Sequence, residues 1–112
     1  MRSVAFLRAN IGEPVTIGRL SRVAGVSQRT LRYAFQEVCG VSPKRFALRQ
    51  RLRAARERLR TADPDQTTVT DVAMLYGFFE LGRFAGQYKA AFGETPSRTL
   101  RARVRHQLQH AG

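Results

Sequence analysis

Residues 17–43 read IGRLSRVAGVSQRTLRYAFQEVCGVSP and residues 69–96 read VTDVAMLYGFFELGRFAGQYKAAFGETP; the two stretches are copies of one unit. Laid on one another they pair Leu20 with Val72, Ser21 with Ala73 and Gly25 with Gly77. Past one inserted residue they pair Leu31 with Phe84, Phe35 with Tyr88, Gly40 with Gly93 and Pro43 with Pro96. Self-similarity of this kind marks a repeated supersecondary unit, so it constrains every element assigned inside it. The period within each copy is helical, because Leu31, Phe35 and Val38 fall at i, i+4 and i+7, and Phe84, Tyr88 and Ala91 do the same.

Each copy is thus predicted to hold a short helix, a tight bend and a second helix. The small residue Ser21 or Ala73 lets the two helices approach, and a glycine four positions later, Gly25 or Gly77, accepts the positive φ that turns the chain. That arrangement is a helix-turn-helix. Ser27 is placed to cap the second helix of the first copy, and Thr16 and Thr68 to cap the first helices of the two copies. Gly40 and Gly93 stop the second helices, and Ser42-Pro43 and Thr95-Pro96 each read as a cap followed by proline at the first helical position.

Between the copies, residues 43–61 are expected to form one helix with Leu48, Leu52, Ala55 and Leu59 as its apolar stripe, packing between two lobes. At 1.5 Å per residue the stretch from Pro43 to Arg60 is about 27 Å long. Arg45, Arg49, Arg53, Arg56 and Arg60 run beside the stripe, either as a solvated, salt-bridged face or as phosphate contacts. Asp63-Pro64-Asp65 ends the helix in a loop. Val4, Ala5, Leu7 and Ile11 suggest a leading helix, and Leu100, Val104 and Leu108 a trailing one. The expected architecture is all-α: seven helices, with a first helix-turn-helix subdomain over 1–42, a linker helix over 43–61 and a second subdomain over 62–112.

Composition bounds what such a chain can do. It has 112 residues, 20 Lys+Arg against 8 Asp+Glu, and a net charge of +12. A hydrophobic fraction of 43% can fill a core, so the positive charge sits on a folded surface and calls for a polyanion, of which nucleic acid is the commoner. There is no apolar run of about 18 residues and no leader-like N-terminus, which reads as an intracellular chain without a membrane partner. The single cysteine, Cys39, excludes an internal disulfide and a thiolate zinc cage, and its neighbours Val38 and Val41 suggest a buried thiol. His106 and His110 stand four apart with no third ligand nearby, so they are read as polar positions and no metal is expected. Enzyme chemistry needs a nucleophile with its base, a carboxylate pair or a metal cage; scattered acids and two histidines supply none, so no catalytic residue and no cofactor is assigned.

The segments AGVSQRTLRYAF and GVSP in the first copy, and YGF, GRF, FGETPS and Leu100-Arg101 in the second, joined by RLRAARERL, closely resemble the DNA-binding domain of the AraC/XylS family of bacterial transcription regulators. The resemblance covers nearly the whole chain. It implies a cytoplasmic, nucleoid-associated regulator that binds double-stranded DNA and contacts RNA polymerase when it activates. Members of the family usually carry a sensing or dimerising domain for which this chain has no room, so the resemblance is either to a DNA-binding fragment or to the few members that consist of that domain alone. A recognition helix fits the major groove, and a spacer of about 27 Å can hold two such helices about one DNA turn apart, at the cost of some bending of the duplex.

With Leu31 and Phe35 inward, the opposite edge of the first recognition helix carries Arg29, Tyr33 and Gln36, flanked by Arg32 and Thr30. An arginine there can bond guanine O6 and N7 together, and the Thr30 methyl can meet a thymine methyl. The resemblance places base contacts at Arg29, Arg32 and Tyr33. Ser27 and Gln28 are expected at the DNA backbone. The second copy departs: Gly82, Gly86 and Lys89 stand where the first has Arg29, Tyr33 and Gln36, and Ala85 stands for Arg32. Two readings follow. The second module grips phosphates through Arg83, Lys89, Arg98 and helix N-termini, with Gly82, Gly86, Gln87 and Ser97 along the backbone, or its glycines let the main chain lie deep in the groove. Two rival functions share the charge: a nonspecific nucleic-acid binder, and a module that docks an acidic protein surface.

Overall fold

The computed structural model describes residues 2–9 and 16–102. Helices α1 (Arg2–Ala9), α2 (Ile17–Ala24), α3 (Gln28–Cys39), α4 (Pro43–Thr61), α5 (Val69–Leu75) and α6 (Leu81–Phe92) follow in order. A seventh helix, α7, begins at residue 96 and runs to the end of the described residues at 102. With no strand among the described residues, the architecture is all-α as the sequence predicts. The chain divides into two compact units, Met1–Arg51 and Leu52–Gly112, and the division falls inside α4. Ile11, Val104, Leu108, His106 and His110 lie outside the described residues, as does the side chain of Leu7.

Local chemistry sets the helix ends. Thr16 Oγ1 accepts the Arg19 N–H at 3.1 Å, Ser27 Oγ accepts the Thr30 N–H at 3.1 Å, and Thr68 closes a reciprocal capping box with Asp71. Ser42 and Thr95 likewise accept the N–H of Arg45 and Arg98, each at 3.2 Å, ahead of a buried proline at the first helical position. Gly25 and Gly77 take φ of 71° and 82°, the left-handed conformation that glycine reaches without a Cβ penalty and that reverses the chain after α2 and α5.

The repeat extends to main-chain register. In the first bend the Val26 N–H donates to the Ser21 carbonyl at 3.0 Å; in the second the Phe78 N–H donates to the Ala73 carbonyl at 2.8 Å. Ser27 and Glu80 are the N-caps that follow. One residue, Val26, separates Gly25 from its cap, but Phe78 and Phe79 separate Gly77 from Glu80. The inserted residue is therefore Phe79.

In the first unit α1 packs on α2 and α2 on α3. Leu20, Leu31 and Phe35 are buried at its centre, and Val4, Phe6, Ile17, Ala24, Cys39, Phe46 and Ala47 close round them. The Phe35 and Phe46 rings meet edge to face at 5.6 Å. In the second unit α5 packs on α6, and Leu52, Ala55, Leu59, Val72, Ala73, Phe78, Phe84, Tyr88 and Leu100 are buried. Its rings form a row, Phe78 to Phe84 to Tyr88 to Phe92, with centroids 4.6, 5.7 and 4.7 Å apart. The buried Tyr88 hydroxyl donates to Thr99 Oγ1 at 2.8 Å, and Thr99 donates onward to Glu94 Oε1 at 2.8 Å. Each buried hydroxyl thus keeps a partner, and burial pushes the Tyr88 phenol above its ordinary pKa.

Three expectations need correction. Val38 is 72% exposed and Ala91 is exposed; the third contacts of their helices come from Cys39 and Phe92. Measured from the central Phe35, Cys39 lies about 40° round the helix and Val38 about 60° the other way, so the stripe continues as i, i+4, i+8. Cys39 is only half-buried, since it sits at the rim of the core where α3 ends. Leu48 is half-buried too, so the buried part of the α4 stripe is Leu52, Ala55 and Leu59, all in the second unit.

Candidate nucleic-acid interface

Helix α3 is a two-faced element. Leu31 and Phe35 turn inward, and Arg29, Thr30, Arg32, Tyr33 and Gln36 are all exposed, Tyr33 at 69% despite its ring. Arg29, Arg32 and Tyr33 therefore present a guanidinium pair and a phenol on one side of a helix whose start is fixed by Ser27. Two neighbours are partly engaged within the chain. The Gln36 amide donates to the Gly40 carbonyl at 3.2 Å, folded toward the helix end, and the Ser27 hydroxyl donates to Thr30 Oγ1 at 2.9 Å while capping α3. Gln28 is exposed at the first helical position.

Helix α6 offers a different surface. Gly82, Arg83, Gly86 and Lys89 are exposed, and Gln87 is half-buried. A Cβ built on Gly82 or Gly86 would meet nothing within 4 Å, so no contact among the described residues requires glycine at either place. Ser97 and Arg98 are exposed in the first turn of α7, where Arg98 and Arg101 share an open depression of about 430 Å³ with Glu94. Phe79 was not among the candidates read from the sequence. It is 71% exposed at the entry to α6, beside Glu80, whose side chain makes no capping bond. The signal that could have found it is the one-residue insertion in the repeat.

The arginine row of α4 does not behave as one face. Arg45, Arg49 and Arg53 are exposed, and Arg60 lies 4.0 Å from Glu57, a solvated pair of little energetic consequence. Arg56 instead lies over the Phe92 ring, 4.9 Å from its centre, with its Nε buried and unbonded. Among the described residues no group of three or more His, Cys, Asp and Glu could hold a metal, and no helix is long and apolar enough to cross a membrane.

Two capped helix-turn-helix units on one basic chain define the class: a tandem helix-turn-helix domain. A family model for a helix-turn-helix domain matches residues 20–102. The chain is 41% identical over 99 residues to a probable thc operon regulatory protein of Rhodococcus erythropolis, covering 88% of this chain and 30% of that protein. It is 38% identical over 102 residues to a XylDLEGF operon transcriptional activator of Pseudomonas putida, covering 91% and 31%. The chain thus spans less than a third of the length of either relative. Among solved structures, a probable AraC family transcriptional regulator from Rhodopseudomonas palustris superposes with a TM-score of 0.82 at 41% identity, over 91% of this chain and 94% of that one. The DNA-binding domain of AdpA, solved in complex with a target DNA, gives 0.84 at 25% identity over 96% and 94%. The chain belongs to the AraC/XylS family of helix-turn-helix transcription regulators, which are not enzymes.

Proposed function

We propose that these residues form the sequence-specific DNA-binding part of a bacterial transcription regulator, with α3 and α6 entering successive major grooves of one duplex. The observation that carries this reading is the outward edge of α3, where Arg29, Arg32 and Tyr33 are exposed opposite a buried Leu31 and Phe35 on a helix of the right family. Arg29 is the base reader, bonding a guanine through two parallel N–H groups, with Arg32 and Tyr33 beside it and Thr30 and Gln36 at the margins. Ser27 and Gln28 approach the backbone at the start of α3. In the second unit Arg83, Lys89, Ser97 and Arg98 hold phosphates, with Gly82, Gly86 and Gln87 along the helix face. Such a regulator works in the bacterial cytoplasm on the nucleoid. Contact with RNA polymerase belongs to the same proposal, as does a sensing or dimerising domain outside these residues, for which the greater length of the relatives leaves room.

Selection of sites from random duplexes tests this. A preferred sequence with two read segments about one turn apart is expected; equal binding to all duplexes would favour the nonspecific binder. On the preferred site, Arg29→Ala should cost about 1–3 kcal/mol and relax preference at one position. Arg98→Ala should weaken all duplexes alike and reduce the salt slope by about one. Equal losses on specific and random DNA for Arg29→Ala would remove it from the base contacts.

The glycines give a prediction of opposite signs. Because glycine inside a helix is about 0.5–1 kcal/mol worse than alanine and nothing among the described residues crowds Gly86, Gly86→Ala should raise the melting temperature by several degrees. The same methyl should weaken duplex binding if α6 lies close to DNA. A variant that is more stable and binds as well as the parent would count against that close approach.

A further inference from the structure

The second helix-turn-helix exceeds the first by one residue, Phe79, and that residue is a large aromatic left 71% exposed. Its companion Phe78 occupies the main-chain position of Val26 and is buried against Phe84 at 4.6 Å, so the core of this unit already has its aromatic. Packing among the described residues does not account for Phe79. Glu80 follows it as the N-cap of α6 without making a capping bond, and Leu81, 41% exposed, opens the helix. In a helix-turn-helix, the N-terminal residues of the second helix are those that meet base edges, and Phe79 stands in the bend immediately ahead of them, one residue before the Glu80 N-cap. The major groove presents one apolar group there, the C5-methyl of thymine. A carboxylate at Glu80 repels phosphate but accepts a bond from a cytosine amine, so the surroundings of Phe79 suit the groove floor better than the backbone.

We infer that Phe79 is a specificity-determining residue of the second unit that reads a thymine methyl group by apolar contact. The inference rests on the DNA-binding reading above and adds a base contact to a helix face on which Gly82 and Gly86 carry no side chain. It also gives those glycines a role, because a bare helix surface behind Phe79 lets the ring reach the groove floor.

The test uses the whole chain and the best duplex obtained by selection. Each thymine in the half-site away from the α3 site is replaced singly by deoxyuridine, which removes only the methyl. At one position the parent protein should lose about fourfold in affinity, the worth of one buried methyl group. Phe79→Ala should lose at least as much on the thymine duplex and show no further loss with deoxyuridine, whereas Phe79→Leu should retain part of the discrimination. Since the side chain is exposed, thermal unfolding of both variants should match the parent. If Phe79→Ala still distinguishes thymine from deoxyuridine, or if no methyl in that half-site matters to the parent protein, the inference falls while the DNA-binding reading stands on the Arg29 result. If the parent prefers no duplex at all, both fall together.

Discussion

Replacing Phe35 with alanine is expected to destabilise the first unit by about 3–5 kcal/mol. The ring is fully buried in one cluster with Leu20 of α2 and Leu31 of α3, and it meets Phe46 edge to face at 5.6 Å. Removing it forfeits both the transfer of a phenyl group out of water and the contacts of its neighbours, which cannot collapse far because α3 is pinned by its Ser27 cap and by the turn at Gly25. A unit the size of Met1–Arg51 has a total stability of about 3–8 kcal/mol, so the loss approaches the whole. Chemical denaturation followed by circular dichroism measures it directly. A shift below about 1 kcal/mol would mean that Phe35 is not the keystone its burial indicates.

Affinity for DNA should fall about a thousandfold between 50 and 200 mM salt, with log K against log salt sloping near −5. The chain carries a net charge of +12, and neutralising about six phosphates releases the counterions condensed on them. Arg45, Arg49 and Arg53 on α4, Arg83 and Lys89 on α6, and Arg98 on α7 are exposed cations that can supply those contacts. Arg56 is not among them, because its guanidinium is spent on the Phe92 ring. Titrations of one duplex over a salt series give the slope, and a flat profile would show that the charge serves another purpose.

The halves of the molecule were legible to different degrees. The repeat found the turns, the caps and the central core residues, since Leu20 and Val72, Leu31 and Phe84, and Phe35 and Tyr88 are buried in matched pairs. The outward edge of α3 followed from the same wheel, and its exposure agrees with it. The edge of α6 was harder to interpret, because glycine carries no side chain whose chemistry can be read, and the exposed aromatic that stands out there sits in the bend rather than on the helix.

What the sequence determined by itself is whatever depends on neighbours within a turn or two: helical spacing, Ser and Thr caps three residues ahead of their N–H partners, and glycine at the positive-φ turns. Those interactions close over short stretches, so their pattern is written into consecutive residues. Only the tertiary structure decided that Cys39 rather than Val38 touches the core, that Arg56 leaves its row to cover Phe92, and that Phe79 rather than Phe78 is the residue left outside. Each of these turns on a partner brought near by packing: the cluster of Leu20, Leu31 and Phe35 for Cys39, the Phe92 ring of α6 for Arg56, and the Phe84 ring for Phe78. A periodic pattern says which face turns inward, but when two residues compete for that face, the shape of what it packs against chooses between them.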